Sequence, residues 1–404
     1  MSEAVDNNHG NSRHRDQPLK SDGPTVLQVI PALDTGGAER GAVDVARAIV
    51  EAGGRCILVS SGGRMTGDLQ RSGAEHITMQ VDSKNPLTIA RNATRLTEIC
   101  QREKVHIIHA RSRAPAWSAW LAARRAGCHF VTTFHGTYNF GSGLGGAIKR
   151  RYNAIMTRGE RVIAISRFIA DHIAREYGVS GRVTVISRGI DLTRFNPGAV
   201  SAERIIHMSQ QWRLPDGAPV IMLPGRLTRW KGQTVLIEAF AAIKHPDAVC
   251  VLVGSDQGRS DYRAELDKMI EERNLGGRFR LVDHCDDMSV AYMLADIVIS
   301  ASTDPEAFGR IAVESQAMGR PIIASDHGGS CETVEDGKTG FLTPPGDATA
   351  LAAAIDQVLA IDDDARAIMA RRAQTRVSEK YTVEGMCART LDVYRQLLAS
   401  QEGR

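Results

Sequence analysis

The chain has 404 residues, 43% hydrophobic and 24% charged, an ordinary globular composition with enough length for two domains rather than one. It excludes a membrane-spanning class, since no apolar run approaches the roughly 20 residues a bilayer requires, and its seven scattered cysteines, odd in number and without a C-x-x-C pair, argue against a disulfide framework or zinc site and fit a reducing cytosol. Net charge is only +3, yet residues 1–195 hold 27 Lys+Arg against 17 Asp+Glu, net +10, which leaves −7 for the remainder and anticipates an anionic partner on the first half.

Residues 1–23 are polar, lack the apolar core of a secretory signal and are expected to form a disordered tail. From there short β-branched runs alternate with helical patterns, the βαβ rhythm of doubly wound parallel sheets. Strands are predicted at 26–30, 56–60, 106–109, 130–134, 162–165 and 183–186. The rhythm pauses at 187–197, read as a linker, and resumes with strands at 220–223, 249–253, 297–300 and 321–324. Helices are predicted near 232–243, 261–273, 309–318 and 347–361, with a last one at 383–400. The expected division is a Rossmann-like domain over 24–195, a second over 196–380, and a terminal helix within 381–404. Ligands of such sheets bind beyond the carboxyl ends of the strands, here in a cleft between the two domains.

The motifs fall after strands. Gly36-Gly37-Ala38-Glu39 follows the first strand, where paired glycines admit close backbone approach and a helix N-terminus receives phosphate. A nicotinamide-dinucleotide fingerprint would need Gly at Ala38 and an acid where Ser60-Ser61 stand, so a dehydrogenase is disfavoured. Arg111 and Arg113 follow the third strand, either as solvated loop charges or as ligands of an acceptor anion. His135 follows the fourth, at the expected cleft mouth. Lys149-Arg150-Arg151 opens a helical stretch with interspersed apolar residues, either an ordinary amphipathic helix or a docking element for an anionic membrane surface.

In the second half, Arg226 and Lys231 bracket a turn between strand and helix, two fixed cations suited to a diphosphate whose charge grows as its glycosidic bond breaks. Gly254 and Asp283 end later strands and are candidates to frame a base and ribose. The run Glu306-Ala307-Phe308-Gly309-Arg310-Ile311-Ala312-Val313-Glu314 places one carboxylate in a loop and another on the second turn of a helix starting at Gly309. A loop carboxylate, free helix N–H groups and a second carboxylate suit a polyhydroxylated, phosphorylated ligand such as a sugar nucleotide. Asp362-Asp363-Asp364 is read as helix capping, and no metal is assigned.

Together the Gly36-Gly37 loop, Gly225-Arg226 with Lys231-Gly232, Glu306 with Glu314, Gly328-Gly329 and Asp336-Gly337 through Gly340-Phe341-Leu342 resemble retaining glycosyltransferases of family 4, over about 25–395. The resemblance implies a GT-B fold with the acceptor on the first domain, the nucleotide sugar mainly on the second, and a final helix crossing back. It implies that Glu306 binds donor-sugar hydroxyls, the backbone of Phe308, Gly309 and Arg310 meets sugar and phosphate, and Glu314 binds the ribose. Arg226 and Lys231 would hold the diphosphate in place of a metal, His135 would lie near the transferred sugar, and Gly37 near the phosphates. Arg310 stands where many members carry an apolar residue. Residues 109–115 and 305–310 look like bacterial enzymes of lipopolysaccharide-core or surface-polysaccharide assembly. The expectation is a cytosolic, peripheral enzyme with no cofactor beyond its nucleotide-sugar co-substrate, an anionic glycan or glycolipid acceptor, and no nucleic-acid partner. A GT-B-like sugar-nucleotide epimerase and a non-catalytic sugar-nucleotide-binding protein are the alternatives.

Overall fold

The computed structural model describes residues 23–402, apart from 35, 139, 142 and 259. All of the expected tail except Gly23 lies outside the described residues. The first sheet contains β1 Thr25–Val29, β2 Arg55–Ser60, β3 Glu75–Thr78, β4 Ile107–Ala110, β5 His129–Phe134, β6 Arg161–Ala164 and β7 Val183–Val185. The second contains β8 Val220–Pro224, β9 Val249–Val253, β10 Phe279–Val282, β11 Ile297–Ser300, β12 Ile322–Ser325 and β13 Phe341–Thr343. The spatial orders are β3-β2-β1-β4-β5-β6-β7 and β10-β9-β8-β11-β12-β13.

Helices cover both faces of each sheet, so central strands are buried end to end and read as unbroken apolar runs, as in β8 (VIMLP) and β9 (VCVLV). The sequence pattern does not mark β3 (EHIT) or β13 (FLT), and marks β10 (FRLV) only by its end at Asp283. Each lies at an edge and is partly exposed, so little hydrophobic pattern marks it.

In each sheet the chain order reverses between two adjacent strands, β1 beside β4 and β8 beside β11. Connections leave such a pair in opposite directions and open a crevice at their carboxyl ends. Asp362 caps the helix Asp363–Lys380 by accepting from the Ala365 N–H at 2.8 Å. The capping reading marks where that helix starts, while its few and weakly periodic apolar residues leave its length unmarked in the sequence. The last helix, Val383–Glu402, returns to the first sheet, where Met386, Cys387, Val393, Tyr394 and Leu397 join the core against the helix Gly37–Glu51. The Tyr394 hydroxyl shares a 2.6 Å hydrogen bond with His109 Nδ1.

Candidate active site

The second-domain half follows from strand adjacency. Ile297 lies beside Ile221 and Val298 beside Met222, so the loops after β8 and β11 leave the sheet together. Lys231 therefore forms an ion pair with Glu306, 75 positions away in sequence. Ser302 Oγ donates to the same Glu306 oxygen at 2.7 Å, and the Lys231 ammonium sits 4.3 Å from the centre of the Trp230 ring. The two charged side chains are only 12% and 15% exposed. The Ser302 hydroxyl and the Trp230 ring help fix so desolvated a pair, and Glu306 Oε2 stays open to the cleft.

Gly309 has φ +83° and precedes the helix Arg310–Ala317, whose first turn carries no side-chain cap. Glycine is the residue that enters this backbone region without strain. Gly309, Arg310 and Ile311 line the cleft, and uncapped N–H groups at a helix start favour an anion. Phe308 anchors the turn through an edge-on contact with Tyr381, ring centres 5.6 Å apart. One turn on, buried Glu314 accepts from the Tyr292 hydroxyl at 2.8 Å and from Arg310 Nε at 2.5 Å. Burial, and then the Glu314 charge, push the Tyr292 phenol well above its ordinary range, so it stays a neutral donor.

The first-domain half faces this from across the cleft. Gly36 and Gly37 open the helix Gly37–Glu51. A side chain on Gly37 would begin 2.0 Å from Arg188 Nη1, which crowds that α-carbon, and 3.6 Å from Arg310 Nη1, in ordinary contact. Arg188 Nη2 donates to His135 Nδ1 at 3.1 Å. Burial, then the charges of Arg188 and Arg111, hold His135 well below its ordinary pKa, so the ring is neutral with its hydrogen on Nε2. Burial and the Arg310 charge push Arg188 itself down to about 10.

Two family descriptions match the chain in tandem: "Glycosyltransferase Family 4" over residues 35–194 and "Glycosyl transferases group 1" over 205–376. A solved glycosyltransferase from Rickettsia africae is 36% identical, with TM-score 0.86, covering 93% of this chain and 98% of that one. The chain belongs to glycosyltransferase family 4. HepE of Anabaena, solved in complex with UDP-glucose, is 25% identical with TM-score 0.79, covering 91% of this glycosyltransferase and 99% of HepE. A curated D-inositol 3-phosphate glycosyltransferase of Corynebacterium urealyticum is 33% identical over 223 residues, 54% of this chain; the chain spans about half (51%) of that relative's length.

The cleft of this glycosyltransferase measures about 1490 Å³. It brings together Gly37, His135, Arg226, Lys231, Gly254, Glu306, Phe308, Gly309, Arg310 and Glu314. Three candidates from the sequence do not line it. Asp283 forms an ion pair with Arg263 and is 71% exposed, because β10 is an edge strand; the next residues, His284 and Cys285, reach the cleft instead. Arg113 lies over the Tyr138 ring, 4.3 Å from its centre, and donates to Asn153 Oδ1 at 3.3 Å. Arg111 is buried beneath the wall, with its Nε donating to Gln28 Oε1 at 2.5 Å. Lys149-Arg150-Arg151 ends the helix Gly143–Asn153 rather than opening a helix, since the preceding glycines are already helical. Arg188, Tyr292 and Ser302 were missed. Arg188 lies in Ser187-Arg188-Gly189, read only as linker, although a cation next to a glycine after a strand was the signal used at Arg226.

Proposed function

We propose that this glycosyltransferase transfers a sugar, with retention of configuration, from a nucleoside-diphosphate donor to a hydroxyl of an anionic acceptor. The supporting observation is the pair of Lys231 with Glu306 at the second sheet's switch point, flanked by exposed Arg226 and the uncapped helix at Arg310. In this reading Arg226, Lys231 and the helix N–H groups hold the diphosphate, Glu314 binds the ribose hydroxyls, and Glu306 orients the sugar. When the glycosidic C–O bond breaks, its electron pair passes to the β-phosphate oxygen, and the nearby cations stabilise the growing charge. The acceptor hydroxyl attacks from the same face and its proton goes to the departing phosphate. These protein cations carry the electrostatic load, with no metal or cofactor in the proposed mechanism.

HepE's complex with UDP-glucose supports a uridine nucleotide. The curated relative's name supports a phosphorylated polyol acceptor beside the lipopolysaccharide or surface-polysaccharide glycan expected from sequence. Among the described residues no helix is long and apolar enough to cross a membrane. Leu144 and Ile148, 80% and 64% exposed beside Lys149, support peripheral docking of the helix Gly143–Asn153 on anionic headgroups.

The test follows slow nucleotide release from UDP-, GDP- and ADP-sugars, then product anomeric configuration by NMR. Turnover of a UDP-sugar with retention is expected. Inverted product, or binding without release even when phosphorylated polyols and glycans are supplied, overturns it.

A further inference from the structure

Behind the Gly36-Gly37 loop lies a chamber of about 130 Å³, joined to the main cleft through Gly37, His135, Arg188 and Arg310, which line both. Three residues on its lining carry a buried nitrogen without a hydrogen-bond partner: Arg111 Nη2, Arg188 Nε and His135 Nε2. Arg111 is only 5% exposed. The existing bonds fix the polarity of these groups. Arg111 Nε is engaged with Gln28, and Arg188 Nη2 with His135 Nδ1, which leaves the imidazole hydrogen on Nε2. All three orphans are therefore donors. Buried donors are almost always satisfied in folded proteins, so three at one chamber call for an acceptor. A water molecule brings two donors of its own and accepts about two bonds; an oxyanion only accepts, and also answers charge.

Charge points the same way. Arg310 is paired with Glu314, whereas the hydrogen bonds of Arg111 and Arg188 go to neutral groups, Gln28 and Tyr394 for the first and His135 for the second. Asp44 and Asp191 also line the chamber. Asp191 is engaged with Thr193 and the Arg194 N–H, and the Asp44 carboxylate is drawn chiefly by Arg40 and Arg47.

We propose that this chamber is an oxyanion subsite, in which Arg111, Arg188 and His135 bind a carboxylate or phosphate of a substrate, separate from the donor diphosphate. The inference rests on the reading that the adjoining cleft holds a sugar nucleotide. Arg226 and Lys231 serve the diphosphate from the second domain, whereas these three donors follow β4, β5 and β7 of the first. The anion is carried either by the transferred sugar, as a uronate, or by a phosphorylated acceptor.

The test is calorimetric titration of the full chain with inorganic phosphate and with glucuronate, alone and with saturating UDP, GDP or ADP, whichever binds best. At least one anion should bind both with and without the nucleotide. Arg188→Met and Arg111→Met should each weaken it at least tenfold and change nucleotide affinity less than twofold, with folding verified by thermal melting. Arg188→Gln reads the same loss should either methionine variant fail to fold. Displacement of the anion by the nucleotide, or parallel loss of nucleotide affinity, would assign these donors to the diphosphate and overturn the proposal. Unchanged anion binding in the variants would mean an adventitious ion only, and no anion binding by the wild type would also overturn it. Blocking by the uronate sugar nucleotide but not its neutral counterpart places the anion on the donor; binding beside both places it on the acceptor. Anion binding that survives while no nucleotide binds would sink the donor reading and leave the subsite standing.

Discussion

On the second domain's wall of the cleft, Lys231 lies on Glu306 and Arg310 on Glu314. On the first domain's wall, Arg111 and Arg188 bond only to neutral partners, Gln28 and Tyr394 for the first and His135 for the second. A guanidinium or ammonium paired with a carboxylate adds little net field but fixes position. An unpaired cation in the same surroundings projects its full charge on whatever enters. One wall is thus a scaffold of fixed ion pairs, and on the other the cations have carboxylates nearby (Glu39, Asp44) but no ion-pair contact with them. Arg226 is the exception on the second wall, exposed to the cleft, and it supplies there the field that paired Lys231 supplies only in part.

That contrast separates Lys231 from Arg226 experimentally. Lys231→Ala and Arg226→Ala should each lower kcat by about 10²–10³, the usual cost of removing a preorganised donor to a developing oxyanion. Only Lys231→Ala should also destabilise the fold, because it strands Glu306 with half its partners gone. Urea unfolding reads that difference, and Glu306→Gln added to Lys231→Ala should recover most of the lost stability. Alone, Glu306→Gln should cripple transfer and leave free-nucleotide affinity within a few fold. Equal stability of both alanine variants would show that Lys231 and Glu306 are not acting as a pair.

The same contrast explains what could be read from sequence. Arg226, Lys231, Glu306 and Glu314 sit in short motifs at strand ends, where local pattern is enough to nominate them. That Lys231 meets Glu306 depends on β8 lying beside β11, which no local pattern states. Central strands and the edge strand β7 were legible through their apolar or β-branched runs, whereas β3 and β13 were not and β10 showed only its end. Asp283 turns away to Arg263 while the next two residues, His284 and Cys285, reach the cleft, so a candidate chosen from a strand end is right only when the path of the following loop is known. Arg188 is not marked in the sequence because its surroundings come from the loops after β1 and β5 and from the second domain, none adjacent to it in sequence.

Asp44 tests the electrostatics of the first wall by pH. Burial raises its carboxyl from 3.8 to about 6, against the opposing pull of Arg40 and Arg47. The folded state therefore holds this proton more tightly than the unfolded chain. The stabilising contribution is complete below the ordinary carboxylate range and is lost as pH rises through about 6. Asp44→Asn removes that loss. Each tenfold change in proton affinity is worth about 1.4 kcal/mol, so the variant should gain at most about 3 kcal/mol over wild type at pH 8, and nothing near pH 4. A stability difference that does not vary between pH 4 and 8, measured by urea unfolding, would show that the carboxyl is not desolvated as the wall's geometry implies.

The smallest expected effect concerns the contact that holds the two walls together. Ser166 begins the first-domain helix Arg167–Tyr177, and the carboxylate of Glu332, from the second domain, accepts from the Arg167 and Phe168 N–H groups at 2.9 and 2.6 Å. Ser166 Oγ donates to the Ala307 carbonyl at 2.6 Å, next to Glu306. The backbone carbonyl of Glu332 is itself held by Arg376 and Tyr381, each at 2.8 Å, so the carboxylate is presented from a fixed base. A carboxylate at a helix N-terminus contributes typically 0.3–1 kcal/mol, and about 2 when partly buried. Here that energy is gained only while the walls face each other. Glu332→Gln keeps an acceptor and removes the charge, so it should disfavour closure by about 1 kcal/mol. Donor KM should rise about fivefold with kcat nearly unchanged, since the Lys231 and Glu306 scaffold is intact. Small-angle scattering should show a larger radius of gyration for the variant without donor and a matching one at saturation. A variant whose kcat falls while KM holds would mean Glu332 acts on the reacting groups, and that the two walls are kept in register by something other than this cap.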